Sequence, residues 1–240
     1  MPTEILLAIA LVAVYLFDAT HFLRVGETLV LARGRKLSGL SFGGSFELGG
    51  RRPYLPNPLP PLRVEFRISW DISGGSTDAA QTVGEQMRKH LSAVRPVGWV
   101  ATLCAIFIVL VAPLALALHD ELVFLGAVAT SVVCAACGCL IVVLRRRELG
   151  LSGWQVCSVI FVALICLPCA PNLARAATLQ RKWNLAARDL PLLGFEAGHS
   201  ETLHRQIVAA LSSAKRYVAE ESTEFKVIDE QLRQLGGCNP

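Results

Sequence analysis

Long runs of apolar residues without a charge are the main feature of the hydrophobic pattern of this chain. Residues 97–118 and 122–144 contain no Asp, Glu, Lys or Arg, and each run exceeds the ~20 residues that a helix needs to cross a bilayer. A polar link of three residues, 119–121, separates them. The pattern therefore predicts a hairpin of two transmembrane helices. Pro113 is compatible with the first, because neighbouring helices can satisfy the carbonyl group that a proline leaves unbonded.

Two shorter apolar segments flank this hairpin. Residues 154–170 have about the minimum length for a third transmembrane helix, and Trp154 can anchor it at the membrane interface. Residues 5–17 span a membrane only if residues 19–23 extend them, so segment 1–23 is predicted to be either a transmembrane or an interfacial helix. A cleaved signal peptide is not expected, because no basic residue precedes the apolar run and no small-residue cleavage site follows it.

The polar segment 24–75 predicts a small β-rich module. Residues 28–31 and 37–48 have strand-like composition, and residues 64–70 alternate between apolar and polar positions. The apolar positions of this last run are Val64, Phe66, Ile68 and Trp70. About 50 residues of short strands form only a small core, so the module is expected to lean on the membrane surface or on a partner.

Two connecting segments accompany this module. The proline-rich residues 52–61 predict an extended strap rather than a strand, because proline fixes φ and has no amide donor. The strap either covers its own domain or binds an aromatic groove of a partner. Residues 76–96 predict a helix that leads into the first long apolar run.

The C-terminal segment 171–240 predicts a helical tail. Asn172 is placed to cap a helix that ends near Leu190, and a second helix is expected over residues 200–235. Apolar residues recur in this second helix at alternating steps of four and three, as in a coiled-coil seam. The candidate partner-binding residues are Ile207, Leu211, Val218, Phe225, Ile228 and Leu232. The stripe either packs on the preceding helix as a hairpin or docks against another chain, including a second copy.

The basic residues flank the apolar runs and predict the orientation of the protein. Eleven Lys and Arg lie between residues 18 and 95, and Arg145, Arg146 and Arg147 follow the second long run. Lys and Arg near helix ends stay on the cytoplasmic side. We therefore predict a multi-pass protein of the plasma (inner) membrane, with residues 18–96 in the cytoplasm and with the N-terminus and the tail outside.

Composition excludes two other classes. The formal net charge of +4 is small, and the basic residues do not form the dense basic face with aromatics that is typical of nucleic-acid binding. Seven of the eight cysteines lie inside apolar runs, which is not the distribution of a secreted disulfide scaffold. The partners expected are therefore the lipid bilayer and other protein chains.

The cysteines are the only candidate chemistry. Cys134 and Cys137 form a C-x-x-C pair, and helical rise places four thiols at similar depths near the inner leaflet. These four are Cys104, Cys137, Cys139 and Cys157. They either form a redox or metal site or simply pack, since small residues favour close contact between membrane helices.

No pattern of catalytic or cofactor-binding residues occurs in the sequence. The predicted fold is thus an α-helical multi-pass membrane protein with three or four transmembrane helices, a small cytoplasmic β module and a helical hairpin or coiled-coil tail. The function expected is that of a non-catalytic scaffold or accessory subunit without cofactors. The alternative is a membrane redox or metal-handling protein that uses the inner-leaflet cysteines.

Overall fold

The computed structural model describes residues 3–24, 26–34, 36–44, 51–56, 63–69, 77–195, 200–216, 221 and 223–236. The chain is mostly helical, with a small mixed β-sheet module, and it divides into two compact units. The first, here called the helical unit, comprises Met1–His21, Leu55–Glu65 and His90–Arg181. The second, the sheet unit, comprises Phe22–Tyr54, Phe66–Lys89 and Lys182–Pro240.

Two helices are long and apolar enough to cross a membrane. The first runs over Ala80–Ala117 and the second, α4, over Glu121–Leu144. The first contains α2 (Thr77–Ala105), a π-helical stretch (Ile106–Val111) and α3 (Ala112–Ala117). The π-helical stretch lies directly before Pro113, whose ring nitrogen cannot donate the helical hydrogen bond, so the ladder widens there.

Shorter helices complete the helical unit. Helix α1 covers Thr3–Ala19, longer at both ends than the apolar run 5–17, and it contacts α3 and the 3-10 segment Leu167–Asn172. Helix α5 covers Gly153–Ile165, and α6 covers Leu173–Leu179.

The predicted third span over residues 154–170 is therefore helical in its first part only. It begins where Ser152 and Gln155 form a reciprocal capping box. It ends before Pro168, and the chain continues as a 3-10 turn.

The sheet module consists of a two-stranded and a four-stranded sheet. Strand β1 (His21–Arg24) pairs with β4 (Arg51–Tyr54). The larger sheet has the order β3-β2-β5-β6, with β2 at Glu27–Arg33, β3 at Lys36–Ser41, β5 at Arg63–Ser69 and β6 at Lys182–Asn184. The strands predicted near residues 28–31, 37–48 and 64–70 are thus present, with β3 ending earlier than expected.

Two details of the predicted module differ. The strap over residues 52–61 begins as strand β4. Pro53 is tolerated there because both strands of a two-stranded sheet are edge strands, in which one side of the backbone forms no hydrogen bonds to a neighbouring strand. Val64, Phe66 and Ile68 are buried as expected, whereas Trp70 lies outside the described residues.

The C-terminal segment differs most from prediction. The helix expected from Asn172 to Leu190 ends at Leu179, because Lys182–Asn184 leaves it and forms β6. Strand β6 runs parallel to β5, with Ile68 opposite Trp183. A 3-10 segment then covers Ala187–Leu193.

The single helix predicted over residues 200–235 is also wrong. Helix α7 (Ser200–Lys215) and helix α8 (Thr223–Gly236) are separate, and they contact each other and the 3-10 segment Ala187–Leu193. Lys215 links them, since its ammonium group lies 2.5 Å from the Asp229 carboxylate. The predicted seam is therefore interrupted, and its two halves pack within the chain.

The pairing of β6 with β5 bears on the predicted topology. Residues 67–69 and 182–184 belong to one hydrogen-bonded sheet, and two paired strands cannot lie on opposite sides of a membrane. The structure therefore gives no support to the prediction that residues 18–96 and the tail lie on opposite sides of a membrane.

Candidate functional site

The four cysteines predicted to converge differ in their surroundings. Cys104 and Cys139 are buried, whereas Cys137 and Cys157 are exposed on the helix surface. The Cys104 thiol donates to the Ser131 carbonyl oxygen at 3.7 Å, which is a packing contact between neighbouring helices. Among the described residues, no group of three or more His, Cys, Asp or Glu could hold a metal ion.

Two cysteines outside the predicted group are joined by a disulfide. Cys166 and Cys169 form a disulfide across the end of α5 and the following 3-10 turn. Cys169 is buried and Cys166 is partly exposed. This bond closes a very short loop, so it constrains the turn locally.

The predicted topology residues lie together after α4. Arg146 and Arg147 are exposed, while Arg145 is half-buried and donates to the Ala93 carbonyl oxygen at 3.4 Å. Arg145 also lies 3.7 Å from the Glu148 carboxylate. The contact with Ala93 places the beginning of the first long apolar run and the end of the second at the same end of the helical unit.

The predicted partner-binding stripe is largely occupied inside the chain. Ile207 and Leu211 are fully buried, while Phe225, Ile228 and Leu232 are half-buried. Lys215 covers the ring of Phe225, with its ammonium group 4.7 Å from the ring centroid. Val218, the remaining member of the stripe, lies outside the described residues.

The most distinctive site in the helical unit is a buried polar cluster that sequence reasoning did not find. Its centre is an ion pair between Arg175 of α6 and Glu65 of β5, with Nε 3.5 Å from Oε2. Both side chains are almost fully buried. The Arg175 Nε group also donates to the Arg63 carbonyl oxygen at 3.3 Å. Two charges removed from water require such partners, so this cluster fixes α6 against the start of β5.

Asn172 connects the ion pair to the N-terminal helix. Its side-chain oxygen accepts a hydrogen bond from Arg175 at 3.2 Å. Its side-chain amide donates to the Tyr15 carbonyl oxygen at 3.2 Å and to the Asp18 carboxylate at 2.9 Å. Asn172 was predicted to cap α6, but its side chain makes no capping bond and instead joins three parts of the unit.

The protonation of Glu65 is the chemical property that stands out. Burial raises the pKa of this carboxyl to about 7, although the neighbouring Arg175 guanidinium acts in the opposite direction. Desolvation disfavours the charged form of a carboxyl group, and here it outweighs the attraction. The cluster can therefore take up or release one proton near neutral pH, at a carboxyl group that faces the Arg175 guanidinium.

A weak signal for this cluster was present in the sequence. Asn172 and Arg175 are three residues apart after an apolar run, which places them on one face of a helix. Glu65 lies between Val64 and Phe66, where alternation assigns it to the solvent side. Alternation failed for Glu65 because β5 is buried on both faces at that position.

Comparison of the chain with family models, curated proteins and solved structures found no match.

Proposed function

We propose that this chain is an integral membrane protein that acts as a non-catalytic scaffold or accessory subunit. The helical unit anchors it in the bilayer, and the sheet unit carries the surfaces that meet protein partners. The observation that carries the proposal is the exposure of long apolar helices in a chain that also builds a separate sheet-containing unit.

The rest of the chain covers little of the two long helices. Only 28% and 33% of their most apolar windows are buried. Apolar helices that form the core of a soluble protein are largely covered by other elements. Large side chains such as Leu110, Leu122 and Leu140 remain exposed along their length. A bilayer supplies the apolar surroundings that these side chains lack within the chain.

The positions of the basic residues support a cytoplasmic location for the sheet strands. The link between the two long helices contains no Lys or Arg, whereas Arg145, Arg146 and Arg147 follow the second helix directly. Basic residues near helix ends are retained in the cytoplasm. We therefore place residues 18–96 in the cytoplasm and the link 119–121 outside, in the plasma membrane.

The accessory role is favoured by the architecture of the sheet unit. Helices α7 and α8 are amphipathic and pack on each other, so each turns a polar face outward. Such a surface is suited to contact with another protein, including a second copy.

Membrane insertion and partner binding are tested separately. Alkaline carbonate extraction of membranes from cells that express the full chain tests insertion, and the chain is expected to remain in the pellet. Chemical crosslinking followed by native mass spectrometry of the gently solubilised protein tests the accessory role. A chain that stays in the membrane but is always monomeric and free of partners would refute the scaffold role alone.

A further inference from the structure

We infer that residues 153–181 form a re-entrant helical hairpin, which enters the membrane and leaves it on the same side. The inference rests on the membrane insertion proposed above. In this arrangement α5 is the entering limb, the 3-10 turn at Leu167–Asn172 is the tip, and α6 is the returning limb. It replaces the third crossing that hydropathy predicts for residues 154–170.

The two ends of the segment meet. The side-chain amide of Gln155, near the start of α5, donates a hydrogen bond to the carbonyl oxygen of Gln180, just after α6, at 3.0 Å. Just outside this pair, Gly150 precedes α5 and Arg181 follows Gln180. A Cβ on Gly150 would lie 2.9 Å from Nη1 of Arg181. A crossing would separate the two ends of the segment by about 30 Å. Their contact shows that the chain returns to its starting level.

The entering limb is too short to cross. Helix α5 has 13 residues, which correspond to ~20 Å at the rise of an α-helix, less than the ~30 Å of the hydrocarbon core. The tip then contacts the π-helical stretch Ile106–Val111, in the middle of the first long apolar run.

The returning limb lies against the basic end of α4. A Cβ on Gly138 would be 2.7 Å from the Leu173 side chain, and Gly138 precedes the end of α4 by roughly 9 Å of helical rise. Non-helical backbone is tolerated at membrane depth where protein covers it. The tip meets this condition, because Cys169, Ala170, Pro171 and Asn172 are all buried.

The charge distribution supports the same topology independently. With a re-entrant hairpin, the Lys and Arg of the chain all lie on one side of the membrane except Arg175, which belongs to the returning limb. A third crossing by residues 154–170 would move the nine Lys and Arg that follow residue 170 to the other side, beginning with Arg175, Arg181 and Lys182. The positive-inside rule opposes that arrangement. Because β6 is hydrogen-bonded to β5, the chain must cross the membrane an even number of times between these two strands. The two long helices alone satisfy this condition.

The inference is tested by labelling introduced cysteines in the full chain with a charged, membrane-impermeant maleimide. The background carries Cys238→Ser, and its own labelling is subtracted as the baseline. Glu121→Cys reports the link, Glu148→Cys the end of the second helix, and Arg216→Cys the tail. These positions are exposed in the structure, and Lys226→Cys provides a second tail position if Arg216→Cys does not accumulate.

We expect Glu121→Cys to be labelled in intact cells, whereas labelling of Glu148→Cys and Arg216→Cys increases severalfold only after permeabilisation. Labelling of Arg216→Cys or Lys226→Cys in intact cells, with Glu148→Cys still protected, would overturn the re-entrant hairpin and leave membrane insertion intact. Equal behaviour of Glu121→Cys and Glu148→Cys would overturn the crossing by the two long helices, and with it both proposals.

Discussion

Arg175 and Glu65 face each other at 3.5 Å, from Nε to Oε2, with side chains that are 1% and 2% exposed. Their elements, α6 and β5, are separated by more than 100 residues of sequence. An ion pair at such burial contributes little net stability, because the cost of removing two charges from water offsets their attraction. The pair therefore makes the helical unit sensitive to the protonation of a single carboxyl group.

The first prediction concerns pH. The pKa of Glu65 is about 7 in the folded chain against an ordinary value of 4.5. A carboxyl with a raised pKa contributes stability that is complete below pH 4.5 and is lost as the pH rises through 7. The melting temperature of the wild-type protein should therefore fall by several degrees relative to Glu65→Gln across this interval. A shift of this size corresponds to about 3 kcal/mol.

Thermal unfolding in detergent or nanodiscs, followed by intrinsic fluorescence at several pH values, measures this difference. Glu148→Gln is the matched control, because Glu148 is exposed and its substitution should leave the pH profile unchanged. Parallel profiles for the wild type and Glu65→Gln would contradict the assignment of a neutral-pH proton to this carboxyl group.

A second prediction concerns the bridging role of Asn172. Asn172→Ala removes hydrogen bonds to Tyr15, Asp18 and Arg175 inside a buried polar cluster. The expected loss in free energy of unfolding is about 1–3 kcal/mol. Asn184→Ala on the exposed side of β6 is the control and should cost less. Equal melting temperatures for the two variants would show that the Asn172 network does not support the unit.

Close helix packing gives a third prediction. Leu173 lies where a side chain on Gly138 would be, whereas nothing lies within 4 Å of a Cβ on Gly126 of the same helix. Gly138→Val should therefore separate α4 from α6 and cost about 1–3 kcal/mol, as overpacking commonly does. Gly126→Val introduces the same side chain without a clash. The measurement is the melting temperature of both variants in the same detergent, and a similar value for both would contradict the Gly138–Leu173 contact.

Local sequence patterns predicted the helices and strands whose formation depends mainly on residues close together in the chain. The two long apolar helices follow from uninterrupted hydrophobicity, and β5 follows from the alternation around Phe66. The third apolar run was overextended, because Pro168 ends α5 and hydropathy alone does not register the missing amide donor.

Features that depend on distant partners could not be predicted. Residues 182–184 have no strand signal of their own and form β6 only because β5 offers an open edge. The burial of Arg175 likewise depends on a carboxylate far away in the chain. The seam over residues 207–235 had the right apolar spacing, but that spacing does not reveal where a helix breaks and folds back.

The last prediction tests the attachment of the tail to the sheet. Trp183 is 4% exposed, and its ring meets Phe66 edge-on at 6.4 Å between centroids. Trp183→Ala should cost about 3–5 kcal/mol, because it empties a large buried site, and it should release β6 from β5. Trp154→Ala is the control, since Trp154 is 83% exposed. Trypsin cleavage after Lys182 should become faster in Trp183→Ala only, because a strand within a sheet does not fit a protease cleft. If both variants are cleaved at the wild-type rate and have the same melting temperature, β6 does not hold the tail on the sheet. The tail then need not lie on the same side of the membrane as residues 67–69.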